Sequence, residues 1–202
     1  MINLLNYATI DFFKNKLNTS DDEWAIIISR LRNNRYPKGS ILLSSGQISK
    51  RLYLLDKGII RSFYYNEKGE EMTSWFATEG EFGAELESFL KEKPTESYLQ
   101  VIEDCSVWEI SYSDLQYLLS HSTTFCKFYI NLLEADIIGT NKHIKSIQAS
   151  TPEQRYQWFL EKYKHIANRL PIKYIANFLG INKFTLSHLR SGMKKEQISK
   201  VA

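Results

Sequence analysis

Apolar positions change their rhythm along the chain, and each change predicts a different kind of element. Residues 21–32 carry apolar side chains at helical spacing behind Asp21, Asp22 and Glu23, where negative charge suits the start of a helix dipole, so an amphipathic helix is predicted. Between residues 36 and 111 the pattern becomes short runs of Ile, Leu, Tyr, Phe and Val. Pro37, Gly39, Gly46, Gly58, Gly69, Gly80 and Gly83 interrupt these runs at roughly ten-residue spacing, the pattern of an all-β roll, barrel or sandwich. Asn66-Glu67-Lys68-Gly69-Glu70 reads as a hairpin turn with Gly69 at a position that needs positive φ. Beyond Ser113 the period is helical again, with a short helix over residues 114–119 and a long one, free of proline, over 123–147.

The long helix has two apolar stripes. Cys126, Ile130, Leu133, Ile137, Thr140, Ile144 and Ile147 alternate spacings of four and three, while Phe125, Phe128, Leu132, Ala135 and Gly139 form a neighbouring row. Two stripes need two partners: the β domain of the same chain for one, and the same helix of a second chain for the seven-residue repeat. Thr151 and Pro152 then mark a fresh helix start, since Thr caps and Pro fits the first turn.

Residues 171–190 read as two short helices around Gly180. Ile175, Leu179, Ile181, Leu186 and Leu189 supply an inter-helix core, Ala176 is small where the helices approach, and Gly180 suits the tight turn: a helix-turn-helix. Asn182, Lys183, Phe184, Thr185, Ser187, His188 and Arg190 are left facing outward, a set rich in donors for phosphates and base edges. In a major groove, Lys183 and His188 are the expected base readers and Phe184 the contact to a thymine methyl, unless Phe184 packs on its own domain. Asn182, Thr185 and Arg190 are expected on phosphates.

Charge sharpens this picture. The net charge is only +3, but residues 152–202 hold ten Lys/Arg against three Asp/Glu, leaving sixteen against twenty in residues 1–151. A basic tail domain on an acidic body points to a polyanionic partner for the last quarter. The chemistry of other classes is missing. Cys105 and Cys126 cannot build a disulfide framework or a four-thiolate cluster, and His121, His143, His165 and His188 form no HxH or HExxH pattern. Residues 36–111 contain no histidine for a cupin-type metal set, and neither a nucleophile elbow nor a phosphate-cradling GxxxxGK[ST] loop occurs. No metal, cofactor or enzymatic activity is expected. No apolar run approaches the roughly 18–20 residues of a membrane span, and Met1 to Ile10 lacks a basic stretch followed by an apolar one, so a cytoplasmic protein without membrane contact is expected.

The chain resembles the CRP/FNR family of transcription regulators along almost its whole length. The landmarks are Tyr36-Pro37-Lys38-Gly39, Ser45-Gly46, Leu52-Tyr53 with Lys57-Gly58, Glu67-Lys68-Gly69-Glu70-Glu71-Met72, and Gly80-Glu81-Phe82-Gly83-Ala84-Glu85-Leu86. Trp108-Glu109-Ile110-Ser111, Leu179-Gly180-Ile181 and Thr185-Leu186-Ser187-His188-Leu189-Arg190 complete them. Each fragment is weak alone; their order and spacing are specific. The resemblance implies an α+β chain: a double-stranded β-helix, the jelly-roll-like β-roll of a sensor domain (residues 1–121), a dimerisation helix (122–150) and a helix-turn-helix domain (151–202). It implies a homodimer on a pseudo-palindromic DNA operator, paired through Ile130, Leu133, Ile137 and Ile144, with RNA polymerase and an unknown small-molecule effector as further candidate partners. The competing reading is a ligand-binding signalling module whose C-terminal helices dock a protein.

The effector pocket implied by the resemblance comprises Glu85, Leu86, Thr95 and Glu96. In the family's cyclic-nucleotide binders a Gly-Glu-Leu segment holds the ribose and a later arginine neutralises the phosphate. Here Glu85 and Leu86 match, but Ala84 replaces the glycine and Thr95, beside Glu96, stands at the arginine position. A buried phosphate needs a cation or several oriented donors, so cyclic AMP is not the expected ligand, although Lys91 and Lys93 lie close in sequence. Many members also carry a β-hairpin wing after the recognition helix. Residues 191–202 are instead short and polar, and Lys194, Lys195 and Lys200 are expected either to touch phosphates or to be disordered.

Overall fold

A computed structural model describes residues 13–15 and 17–199 of the chain, with side chains through residue 192; Met1 to Ile10 and Lys200 lie outside the described residues. Helix α1 (Asp21–Ser29) starts at Ser20, whose hydroxyl accepts the Glu23 N–H at 3.2 Å, with its acidic residues in the first turn. It ends three residues earlier than its apolar spacing predicts, because Arg32 already opens a strand.

Eight strands follow among the described residues: β1 (Arg32–Tyr36), β2 (Ile41–Leu43), β3 (Arg51–Lys57), β4 (Ile60–Tyr65), β5 (Glu71–Ala77), β6 (Phe82–Gly83), β7 (Tyr98–Val101) and β8 (Cys105–Ser111). They form two four-stranded sheets, ordered β1-β8-β3-β6 and β2-β7-β4-β5. Strand β1, four of whose five residues are exposed, has no apolar alternation to announce it. It exists because its backbone pairs antiparallel with β8, from Arg32 opposite Glu109 to Tyr36 opposite Cys105. The Asn66–Glu70 turn forms as its residues imply, with Gly69 at φ 75° and the Asn66 N–H donating to the Glu70 carbonyl at 3.0 Å.

The two sheets face each other across Leu43, Tyr53, Leu55, Ile60, Ala77, Leu99, Val101, Cys105 and Val107. Alternate residues of β3, Leu52 and Leu54, turn the other way and join Ile110 in a second core. That core is covered by helices: Ile27 of α1, Phe89 of α2 (Leu86–Lys91), Leu115 and Leu118 of α3 (Tyr112–His121), and Phe125 and Tyr129 of α4 (Thr123–Ala149). Strand β3 is therefore apolar on both faces. Ser122 starts α4 by accepting the Phe125 N–H at 3.0 Å, and its hydroxyl donates to Glu23 of α1. That bond, with a second from Thr19, holds the Glu23 carboxyl below its ordinary pKa.

The chain divides into two compact units. The first comprises residues 1–65 and 74–134, the second residues 66–73 and 135–202. In the second, α5 (Pro152–Tyr163), α6 (Ile172–Leu179) and α7 (Lys183–Ser199) enclose Tyr156, Phe159, Tyr163, Ile166, Ile175, Phe178, Leu179 and Leu186. Thr151 caps α5 in a reciprocal capping box with Gln154, and Pro152 fills its first turn. Among the described residues, no helix is long and apolar enough to cross a membrane, and no group of three or more His, Cys, Asp or Glu could hold a metal ion.

Among the described glycines, Gly58 leaves the least room for a side chain. It sits at φ 101°, and a Cβ there would lie 2.4 Å from Cys105 Sγ and 2.8 Å from the Asp104 carbonyl. Gly58→Ala therefore combines backbone strain with a clash against backbone. We expect it to lower the urea-unfolding free energy by about 2–4 kcal/mol, and a loss below about 0.5 kcal/mol would contradict this account of the β3–β4 turn.

Candidate nucleic-acid interface and effector site

The geometry of the helix-turn-helix is set by its turn. Gly180 adopts φ 61°, its N–H donates to the Asn177 carbonyl at 3.2 Å, and the Ile181 N–H reaches back to the Ala176 carbonyl at 3.0 Å. This pair of bonds is a Schellman ending of α6. Arg155 of α5 clamps the same turn from outside, its guanidinium donating to the Leu179 and Gly180 carbonyls at 3.2 and 3.3 Å and to the Ser150 carbonyl at 3.1 Å. Asn182 opens α7: its Oδ1 accepts the Phe184 N–H at 2.8 Å.

With the turn fixed, one side of α7 is buried by Leu186, while Asn182, Lys183, Phe184, Thr185, Ser187 and His188 are exposed. Phe184 is 83% exposed, so it does not pack on its own domain. A bare aromatic ring beside a lysine and a histidine is a surface that gains from being covered. Asn182 has a structural task at the helix start. Arg190 is only half-buried and donates to Asn168 Oδ1 at 3.1 Å, so it is tethered to the preceding segment. The backbone of α7 stays helical through Ser199, so the short polar tail expected after the recognition helix is a continuation of that helix. The side chains of Lys194 and Lys195 lie outside the described ones.

Sequence reasoning missed Arg155 and Asn168. Arg155 holds the Leu179 and Gly180 carbonyls and Asn168 the Arg190 guanidinium, all more than twenty residues away in sequence, and no local pattern signals such contacts.

In the β-roll, Glu85 stands at the start of α2, where Ser62 of β4 donates to its Oε1 at 2.5 Å. Burial raises the Glu85 pKa, opposed by hydrogen bonds from Ser62, Ser97 and Trp75. Leu86 is half-buried beside it. Thr95 spends its backbone on the loop before β3, its N–H donating to the Gln47 carbonyl at 3.0 Å and its carbonyl accepting the Gly46 N–H at 2.7 Å. Its hydroxyl accepts the Ser97 N–H at 3.1 Å, and the neighbouring Glu96 is exposed. A cation does lie within β4. Arg61, 1% exposed, donates from Nε and Nη2 to Gln100 Oε1 at 3.0 and 2.7 Å and covers the Phe63 ring at 4.2 Å. As the neighbour of Ser62 in a strand, it projects from the face opposite Glu85.

On α4, Phe125 and Tyr129 are buried in the first unit, whereas Ile130, Ile137 and Ile144 remain 49%, 60% and 46% exposed; Leu133 is half-buried. The stripes do not separate cleanly: Ala135 of the Phe125 row is exposed, while Cys126 and Leu133 of the seven-residue repeat are half-buried.

The cyclic nucleotide-binding domain family matches residues 33–122. The fumarate and nitrate reduction regulatory protein of Yersinia pestis is 26% identical over 182 residues, covering 84% of this chain and 72% of that protein. The cAMP-activated global transcriptional regulator CRP of Salmonella typhimurium is 29% identical over 97 residues, 48% of this chain and 45% of that protein. Among solved structures, FixK2 from Bradyrhizobium japonicum superposes with a TM-score of 0.72 at 16% identity, covering 83% of this chain and 86% of its own, a likeness of fold.

Proposed function

We propose that this chain is a CRP/FNR-type sequence-specific DNA-binding transcription regulator acting as a homodimer, a reading supported by its similarity to the cyclic nucleotide-binding domain family and to the fumarate and nitrate reduction regulatory protein. The observation that carries the reading is the solvent face of α7, where Lys183, Phe184 and His188 stand exposed on a helix whose start and preceding turn are both fixed. Lys183 and His188 read base edges, Phe184 meets a thymine methyl, and Thr185 and Ser187 reach phosphates or base edges beside them. Asn182 combines its capping role with a phosphate contact through its amide nitrogen, and Arg190 adds positive charge at the edge of the interface.

In this reading residues 1–121 sense, residues 122–150 dimerise and residues 151–202 read DNA. Two chains pair along Ile130, Leu133, Ile137 and Ile144, presenting two recognition helices to half-sites one helical turn apart. Glu85, Leu86, Thr95 and Glu96 mark the effector site, and its ligand is not cyclic AMP. Glu85 is already engaged by serine hydroxyls, Thr95 offers no charge, and the buried Arg61 faces away from Glu85 and holds Gln100. A cyclic phosphate placed there would lose its water without gaining a cation. RNA polymerase is the partner through which such a regulator would act.

Joint replacement of Lys183 and His188 by alanine should abolish site-specific DNA binding, weakening it at least about tenfold, with dimerisation and folding intact. Unchanged DNA binding in a gel-shift titration would favour the protein-docking alternative. Ile137→Asp buries a carboxylate at the seam, so light scattering should report monomers that bind the same DNA poorly. A dimer of unchanged size would contradict the α4 interface.

A further inference from the structure

The second half of α4 meets the reading domain through an unusual residue. Gly139 and His143 lie one turn apart on one face of the helix. A Cβ at Gly139 would come within 3.3 Å of Lys162 Nζ, so the absence of a side chain there makes room for the lysine of α5. The His143 ring stacks on Phe178 of α6 at 4.2 Å and 6°, and Trp158 of α5 lies against it at 5.0 Å and 25°. Phe178 in turn packs against Phe159 and Tyr163 of α5 at 6.1 and 5.8 Å. One imidazole thus continues the aromatic core of the helix-turn-helix onto the long helix.

A histidine is an uneconomical choice for a purely packing role. Its Nδ1 is buried with no hydrogen-bond partner among the described residues, a defect that a phenyl ring would not have. The charged group facing it is Lys162, whose Nζ lies 4.8 Å from the Tyr163 ring centroid. On α6 its ring contact is Phe178, and on α4 itself Lys142 and Lys145 are exposed. No carboxylate is among these neighbours to stabilise an imidazolium. Burial first, and Lys162 second, hold the His143 pKa down to about 4. An imidazolium would gain attraction from the Phe178 face, but it would bury a donor without an acceptor next to a second cation.

We propose that His143 is a positioning residue for DNA binding: its neutral ring fastens α6 to the second half of α4 and thereby holds the recognition helix in its reading position, and protonation releases it. The inference rests on the regulator reading above. It names a connection that reports the protonation state of one side chain to the DNA-reading surface. Because the folded-state pKa lies below the ordinary 6.5, the stabilisation is complete above about pH 6.5 and is lost as pH falls from there towards 4.

The test compares wild type, His143→Phe and His143→Ala at pH 7 and pH 5 in the full chain. Two readouts are needed: affinity for a palindromic duplex recovered by selection, and amide hydrogen-exchange protection of α6. At pH 7, His143→Phe should bind within about twofold of wild type, while His143→Ala should lose about tenfold with its dimer intact. Between pH 7 and 5 the wild type should lose more affinity and more α6 protection than His143→Phe, since the two chains differ only at residue 143. Wild-type affinity in His143→Ala, or identical pH dependence in wild type and His143→Phe, overturns the proposal. If wild type binds no duplex, the regulator reading itself fails, and the exchange data still decide whether His143 fastens α6.

Discussion

A helix with two apolar stripes needs cover for both, and one chain covers α4 only in part. Phe125 and Tyr129 are buried by the β-roll core, while His143 is packed by α5 and α6. Ile130, Ile137, Ile138 and Ile144 are left substantially exposed on the same helix. Covering the remainder of each would contribute on the order of 1 kcal/mol, so a second α4 brought alongside is favoured by several such increments acting together. On the proposed function, pairing the helices would also double the DNA-reading domains, and the two-fold symmetry of such a dimer would be the symmetry expected of its DNA site.

The fold was legible in the sequence wherever periodicity reflects burial. The glycine-punctuated runs correspond to strands β2 to β8, the 4-3 spacing to α4, and Thr151-Pro152 to a true helix start. It was illegible where backbone pairing or a distant side chain carries the structure. Strand β1 is polar and takes its conformation from β8, so apolar spacing over Ile26 to Leu31 made α1 look longer than it is. The extension of α7 to Ser199 has no apolar stripe that would reveal it.

The site divides in the same way. The outward set on α7, Arg190 excepted, follows from helical geometry once Leu186 is placed inward, and Phe184 is exposed rather than packed on its own domain. What holds that set in place could not be read: Arg155 on the turn carbonyls, Asn168 on Arg190 and His143 on Phe178 are long-range partnerships. In the β-roll the sequence shows Thr95 where the family's nucleotide binders use arginine. The structure adds that Glu85 is satisfied by neighbouring hydroxyls and that Arg61 is committed to Gln100.

The most direct measurement is selection from random duplex DNA by the purified protein, without added ligand and at about 0.1 M salt, where phosphate attraction alone is weakened and carries no sequence preference. Two recognition helices joined by a two-fold axis predict enrichment of a pseudo-palindrome with half-site centres about 10 bp apart. A pool that stays random, or one that converges on a single unrepeated element, would contradict a dimeric, sequence-reading regulator.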